Sequence, residues 1–394
     1  MKYVCGANQC TGCMACVDIC PKEAITIHDD IAAFNAVIQE EKCVNCGACY
    51  RVCQNNNMVK LQQAQNWYQG WAENVETRSA ASSGGLASEL MASFVRTGGK
   101  VCSCSFKNGK FLFSIESQPA NLGKFAGSKY VKSNPNGIYK QIASELRNGK
   151  KLMFIGLPCQ VAGLKKYITP DLQKNLYTVD MICHGTPSVK VLERFLAQYG
   201  YTLKDLHDIL FRIKDRRQIA EKYKPIVRNG IMDCYSIAFM YALCYTENCY
   251  HCSFAKKERI SDITIGDSWG SALDLSEQKK GISLVLCQTK KGQKLLEQAN
   301  LHLEDADREQ AILYNQQLVM PSRMPKARNM FLEGLKRGKK FNRLVCMAKP
   351  SKYFKQLMKR MLMDLHIYKD PSVRAYSIFI SVKNVVSSEK NESN

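Results

Sequence analysis

Long apolar runs are missing from this 394-residue sequence: none reaches the roughly 18 residues that a membrane-spanning helix needs, which excludes a helical integral membrane protein. The opening residues, Met1-Lys2-Tyr3-Val4-Cys5-Gly6, lack the charged, apolar and cleavage regions of a secretory signal. A cytoplasmic location is therefore expected. No G-x-G-x-x-G follows a strand-like segment, so a standard Rossmann site for FAD or NAD is unsupported. Acidic residues are scarce, 35 against 56 Lys and Arg, which leaves a net charge of +21. With 45% apolar and 23% charged residues, the chain is not of the disordered class.

Cysteine, by contrast, is abundant: 19 residues, nine of them before position 54. Without an export signal, so many thiols point to metal or redox work more than to disulfides. Cys10-x2-Cys13-x2-Cys16-x3-Cys20-Pro21 is followed 33 residues later by Cys43-x2-Cys46-x2-Cys49-x3-Cys53. The spacing is that of a bacterial two-cluster ferredoxin, in which the fourth Cys of each run serves the other cluster. One 4Fe–4S cluster is then assigned to Cys10, Cys13, Cys16 and Cys53, the second to Cys20, Cys43, Cys46 and Cys49. Zinc sites come as separated C-x2-C pairs rather than as this run. Gly12 and Gly47 let the backbone approach sulfur. Gln54 stands where a second Pro is usual, and Cys5, outside the repeat, reads as a bystander.

After Cys53 the polar stretch Leu61-Gln62-Gln63-Ala64-Gln65-Asn66 reads as linker. The pattern then alternates. Leu86–Arg96, Ile138–Arg147 and Val189–Tyr199 have helical apolar spacing, and Lys100–Phe106, Lys151–Ile155 and Leu176–Ile182 read as strands. Less distinct strands follow at Asp208–Lys214, Asp262–Ile265 and Ile282–Thr289, with a helix at Lys291–Ala299. This rhythm predicts an α/β fold: an α+β ferredoxin-like N-terminal domain fused to an α/β body with a mostly parallel sheet. The expected divisions are a ferredoxin domain at 1–60, a linker at 61–77, body regions at 78–175 and 176–345, and a basic amphipathic helix with a tail at 346–394. The last residues, Ser387–Asn394, read as disordered.

A second constellation lies in the body. Cys159 and Cys183 each end a predicted strand, and Cys249-Tyr250-His251-Cys252 supplies a C-x2-C pair. If the two strands are parallel neighbours, both thiols reach the crevice at their carboxyl ends, where open α/β sheets bind ligands. Cys159, Cys183, Cys249 and Cys252 then make the four ligands of a third 4Fe–4S cluster. The alternative is a lone C-x2-C zinc or redox pair with two buried free thiols. Cys244, Cys234, Cys287 and Cys346 read as packing. Cys102 and Cys104, two apart on one strand, read as core rather than a redox pair.

At this point the chain resembles the coenzyme F420 hydrogenase/dehydrogenase beta-subunit family, in the form with a fused two-cluster ferredoxin. The residues that carry the resemblance are Ser82-Ser83-Gly84-Gly85, Gly127-Ser128-Lys129-Tyr130-Val131-Lys132-Ser133, Gly156-Leu157-Pro158-Cys159-Gln160, Cys183-His184-Gly185-Thr186-Pro187-Ser188, the Cys249–Cys252 pair and Arg259 through Gly270. The resemblance implies a flavoprotein with FAD beside a 4Fe–4S cluster. It also implies a sugar or lipid-linked substrate, in surface polysaccharide synthesis. Ser83, Gly84 and Gly85, before the helix at Leu86, either offer amides to the flavin pyrophosphate or form a simple helix cap. Lys129 and Ser133 are further cofactor candidates, and Trp269 a candidate for packing on the flavin or near the third cluster. His184 and His251 flank the third set of thiols. No catalytic side chain is singled out.

The expected function is an iron–sulfur flavoprotein oxidoreductase, reducing an organic substrate with electrons passed through the clusters to FAD. The alternative is a non-catalytic electron-transfer subunit. The basic charge suits an acidic redox protein of ferredoxin or flavodoxin type, or a small phosphorylated substrate. Nucleic acid is not expected, since no recognised module accompanies the charge. Residues 321–370 hold fourteen basic and three acidic side chains. Within them Phe354, Leu357, Met358, Met361 and Leu365 recur at helical spacing among Lys352, Lys355, Lys359 and Arg360. That helix either covers its own domain or lies peripherally on an anionic membrane face.

Overall fold

The structure, a computed structural model, describes residues 2–214 and 216–368; the expected disordered tail lies outside them. The N-terminal unit runs β1 (Lys2–Tyr3), α1 (Ala15–Ile19), β2 (Ile25–Asp29), β3 (Phe34–Ile38) and α2 (Ala48–Val52). Its strands pair antiparallel in the order β1-β3-β2.

The body continues with β4 (Asn66–Ala72), α3 (Val75–Ala80), α4 (Leu86–Arg96), β5 (Lys100–Lys107), β6 (Lys110–Glu116), α5 (Ile138–Arg147), β7 (Leu152–Ile155), α6 (Pro158–Tyr167), β8 (Leu176–Met181) and α7 (Val189–Ala197). Next come β9 (Leu210–Ile213), β10 (Arg216–Glu221), β11 (Lys224–Pro225) and α8 (Cys234–Met240). β12 (Ile263–Asp267), α9 (Leu275–Lys280), β13 (Ser283–Cys287), α10 (Lys290–Gln298) and β14 (Leu301–Asp305) follow, then α11 (Arg308–Tyr314), α12 (Arg328–Lys336), α13 (Phe341–Ala348) and α14 (Pro350–Asp364).

Among the described residues, one sheet of eight strands runs β14-β4-β13-β12-β8-β7-β5-β6. The central four, β12, β8, β7 and β5, are parallel, as the βαβ rhythm predicts. Antiparallel strands extend it on both sides. The central strands are buried on both faces, and β7 shows four consecutive buried residues. Helices α4 and α5 end where expected because each closes in a Schellman motif. After α4, the Gly98 N–H donates to Val95 O and the Gly99 N–H to Phe94 O; Gly149 and Lys150 do the same after α5. On α4, Leu86, Leu90, Met91, Phe94 and Val95 are buried against the sheet. Each contributes roughly 1.5–3 kcal/mol of burial.

Two expectations are corrected. Residues 61–77 are not all linker: β4 sits inside the sheet between β13 and β14, and α3 follows it. The strand is hard to read locally because its partners are distant, Ser283 facing Gly70 and Leu301 facing Ala72. The two parts of the body, 78–175 and 176–345, share one sheet, since β7 and β8 on either side of 175/176 are hydrogen-bonded neighbours. The strand at Asp208–Lys214 shortens to β9 and joins a separate antiparallel sheet with β10 and β11.

One buried ion pair ties the sheet to the loop that carries the C-x2-C pair. Arg259 bonds Asp180 at 3.0 Å, and their side chains are 2% and 0% exposed. The same guanidinium donates to Phe254 O at 2.6 Å and Met181 O at 3.0 Å. It thereby holds the chain after Cys252 against the end of β8. Arg259→Met leaves Asp180 charged and unpaired in the core. The expected loss is about 3–5 kcal/mol of stability, read by anaerobic urea unfolding.

Candidate redox centre

The ferredoxin repeat folds into two equivalent loops. Gly12 (φ 66°) and Asn45 (φ 54°) occupy matching left-handed positions, as do Met14 (φ 63°) and Gly47 (φ 70°). In each loop the left-handed residue points its N–H at the first sulfur: Gly12 N–H to Cys10 Sγ and Asn45 N–H to Cys43 Sγ, both 3.4 Å. Ala24 N–H donates to Cys20 Sγ at 3.3 Å. Such amides favour thiolate over thiol.

Cys10, Cys13, Cys16 and Cys53 line one small cavity, and Cys20, Cys43, Cys46 and Cys49 line another. The groupings are those of the crossed assignment, with Cys53 and Cys20 exchanged between loops. The first quartet is buried throughout; in the second, Cys46 is exposed. All nineteen cysteines are free thiols. Cys5 is more than a bystander in position: it lines the first cavity, and its thiol meets those of Cys10 and Cys53.

In the body, the parallel pairing of β7 and β8 carries Cys159 and Cys183 to the same sheet edge. Cys159 lies in the first turn of α6, and Cys183 two residues past β8. The Arg259-anchored loop brings up Cys249 and Cys252, and all four thiols line one cavity of about 510 Å³. Thr186 N–H donates to Cys249 Sγ at 3.4 Å. Burial pushes the thiols of Cys159, Cys183 and Cys252 up, so as free thiols they stay protonated. A bound metal reverses that preference. Among the described residues, no three His, Cys, Asp or Glu side chains are grouped for a single metal ion.

Lys132 stands at the centre of this set. It is buried, and its Nζ lies 3.8 Å from Cys159 Sγ. Burial opposes its charge, and Cys159, Cys249, Cys183 and Cys13 outweigh burial and hold the ammonium protonated only where their sulfurs are ionised. Lys132 lies within the Gly127–Ser133 segment, where nothing in the residue pattern sets it apart from its neighbours. Gln54, where a second Pro is usual, also has a role that the spacing does not show: its Nε2 donates to Thr11 Oγ1 at 2.7 Å and to Cys159 O at 2.9 Å, joining the ferredoxin loop to α6. Cys244, Cys234 and Cys287 are buried; Cys244 belongs to the core cluster around α7 and α8.

A second cavity of about 350 Å³ opens at the carboxyl ends of β7, β8 and β12. Its size and largely apolar walls fit a small-molecule site, and its place is where open α/β sheets hold ligands. Ser83, Gly85, Lys129 and Ser133 line it, with Cys104, Trp269 and the first turn of α4. No side chain caps α4, and Gly85, Leu86, Ala87 and Ser88 at its N-terminus line this space. The other candidates are engaged locally. Ser83 Oγ donates to Ile282 O at 2.9 Å, and the Lys129 ammonium donates to Phe125 O and Ala126 O. Burial lowers the Lys129 pKa to about 8. Ser133 Oγ accepts from Gln160 Nε2. Gly84 lies behind the wall: its N–H donates to Ser283 Oγ, and a Cβ there would sit 2.5 Å from Gly70 O. Close strand packing accounts for that glycine.

His184 borders both large cavities, with Leu157, Cys183, Gly185 and Thr186. His251 lines only the thiol cavity, with its side chain mostly exposed. Trp269 sits at the rim, with the guanidiniums of Arg212 and Arg217 at 5.6 and 5.4 Å from its ring centre. Arg212 pairs with Asp267. Arg217 forms no hydrogen bond or ion pair among the described residues, and its Nε is buried without a partner.

Cysteine-lined sites inside a ferredoxin-type unit and an α/β body define an iron–sulfur protein of the redox class. Residues 149–309 match the family described as the C terminus of the coenzyme F420 hydrogenase/dehydrogenase beta subunit, and residues 9–57 match the 4Fe-4S dicluster domain. Residues 149–309 are thus similar to the C-terminal part of F420 hydrogenase/dehydrogenase beta subunits, and residues 9–57 to dicluster ferredoxin units. A solved chain of the F420-reducing NiFe hydrogenase complex from Methanosarcina barkeri is similar at 18% identity and a TM-score of 0.42, covering 66% of this chain and 94% of that one. No curated protein matches.

Gln54→Leu keeps the side-chain bulk but leaves Cys159 O and Thr11 without their donor. The expected cost is about 1–3 kcal/mol, seen as a lower urea midpoint under anaerobic conditions with the ferredoxin iron retained.

Proposed function

We propose that the chain is an FAD-dependent iron–sulfur oxidoreductase that accepts electrons at the exposed ferredoxin quartet and reduces an organic substrate in the cavity at the sheet edge. One observation carries the reading: the segment Cys183-His184-Gly185-Thr186 is at once a wall of the four-thiol cavity and a wall of the apolar one. When bound, the clusters would supply single-electron steps and the flavin the conversion to two-electron chemistry.

The residues suit these groups. Four free thiols around one cavity, with an amide on Cys249 and an ammonium beside Cys159, suit a third 4Fe–4S cluster. The uncapped N-terminus of α4 and the apolar walls suit a dinucleotide flavin. The four sites follow one order. The exposed quartet adjoins the buried quartet through α1 and α2. The buried quartet meets α6, where a Cβ on Gly163 would lie 3.0 Å from Cys13 Sγ. Cys159 begins that same helix. Arg217, whose Nε has no partner among the described residues, favours a substrate with an anionic group such as a phosphate. A sugar or lipid-linked intermediate of surface polysaccharide synthesis falls in that class, and an acidic ferredoxin or flavodoxin is the donor type proposed.

Anaerobic reconstitution should give about twelve iron atoms and one FAD per chain, and Cys159→Ser about eight iron atoms. A low-potential donor should then bleach the flavin in the native chain and do so far more slowly in Cys159→Ser. A protein that retains about eight iron atoms and no flavin sinks the reading.

Lys132→Met removes a buried cation next to the third quartet. Cluster potentials follow net local charge, so the midpoint of that cluster should fall, with iron content unchanged, in a redox titration followed by electron paramagnetic resonance.

A further inference from the structure

The amphipathic helix α14 seats Tyr353 against the core and leaves a second apolar stripe facing outward. It packs on the body through polar and mixed contacts: Gln356 Oε1 accepts from Met232 N–H at 2.9 Å, Asp364 pairs with Arg228, and Lys352 lies over the ring of Tyr241. None of its residues is buried. Phe354, Leu357, Met358, Met361 and Leu365 recur at i, i+3, i+4, i+7 and i+11, which places them on one face. They are between 38% and 64% exposed. Of the two readings open in the sequence, burial of this face in its own domain is therefore not seen among the described residues.

The charge around the face selects its occupant. Lys355 and Lys359 run along one flank, and α14 is the last described element of a region holding fourteen basic and three acidic residues. The acidic side chain of α14 itself, Asp364, is already paired with Arg228 and Arg360. A second copy of the chain would set these lysines against each other. A flat, anionic, partly apolar surface satisfies both features at once. We propose that α14 docks the protein on an anionic phospholipid membrane, lying in the interface with its Phe, Leu and Met side chains inserted and its Lys and Arg side chains at the headgroups. The proposal stands apart from the cofactor assignment.

Co-sedimentation of the full-length chain with phosphatidylcholine vesicles, with and without phosphatidylglycerol, tests it. The native chain should pellet with phosphatidylglycerol vesicles at low salt and be released by high salt. Met358→Glu with Met361→Glu should abolish pelleting. Lys355→Gln with Lys359→Gln should weaken it roughly 25-fold, about fivefold per charge. Met358, Met361 and Lys355 are exposed and Lys359 is half-buried over the Tyr368 ring, so Lys355→Gln alone is tested beside the pair, and unchanged circular dichroism verifies the fold. Three results overturn the proposal: no pelleting on phosphatidylglycerol at low salt, pelleting on phosphatidylcholine that ignores the lysines, or a lipid-free dimer on gel filtration that the Met→Glu pair dissolves, which would make a second copy the occupant.

Discussion

The close approach of the ferredoxin loop to α6 is the contact on which the line of sites depends. Cys13 lies against Gly163, and no other residue type leaves room for its sulfur there without a shift. Gln54 spans the same seam from Thr11 to the carbonyl of Cys159. The fit is reinforced elsewhere by Asp18, which accepts from the N–H groups of Gly137 and Tyr139 at the start of α5, and by Ser188, which donates to Asp29. Loosening this docking would leave each thiol quartet whole while separating one from the next.

Charge is handled differently on the two sides of that seam. Inside, a single ammonium, Lys132, is set among thiols from both units, so its desolvation is offset only if those sulfurs carry negative charge. An arrangement of this kind makes sense for bound, ionised cysteines and is costly for a cluster of neutral thiols. At the surface, the excess of Lys and Arg gathers toward the C-terminal helices instead, next to an apolar stripe that stays exposed among the described residues. The two basic features are therefore separate devices, one tuned to sulfur and one turned outward.

The apolar cavity also shows how a motif can be right in place and different in use. Gly84 and Gly85 stand side by side, yet Gly84 serves strand packing while Gly85 opens the helix whose first turn lines the cavity. Lys129 lines the same space but commits its ammonium to two carbonyls. Arg217, which no motif marked, keeps an Nε without a partner among the described residues. A sequence names the neighbourhood, whereas hydrogen-bond accounting says which member has capacity left.

Much was legible because it is local. The ferredoxin loops are set by cysteine spacing and short-range backbone geometry, and the helices α4 and α5 by apolar period and a glycine just past each end. The parallel centre of the sheet followed from the alternation of those elements. What depends on distant partners was not: β4 belongs to the sheet only because β13 and β14 arrive much later in the chain, and the role of Gln54 exists only when α6 lies beside it. The sequence by itself determined the two N-terminal quartets, since each ligand set is dictated by spacing along one strand of chain. Only the tertiary structure decided that Cys159, Cys183, Cys249 and Cys252 share a cavity, because convergence of four separated thiols depends on strand order and on the buried Arg259–Asp180 pair, neither of which leaves a periodic trace in the residues.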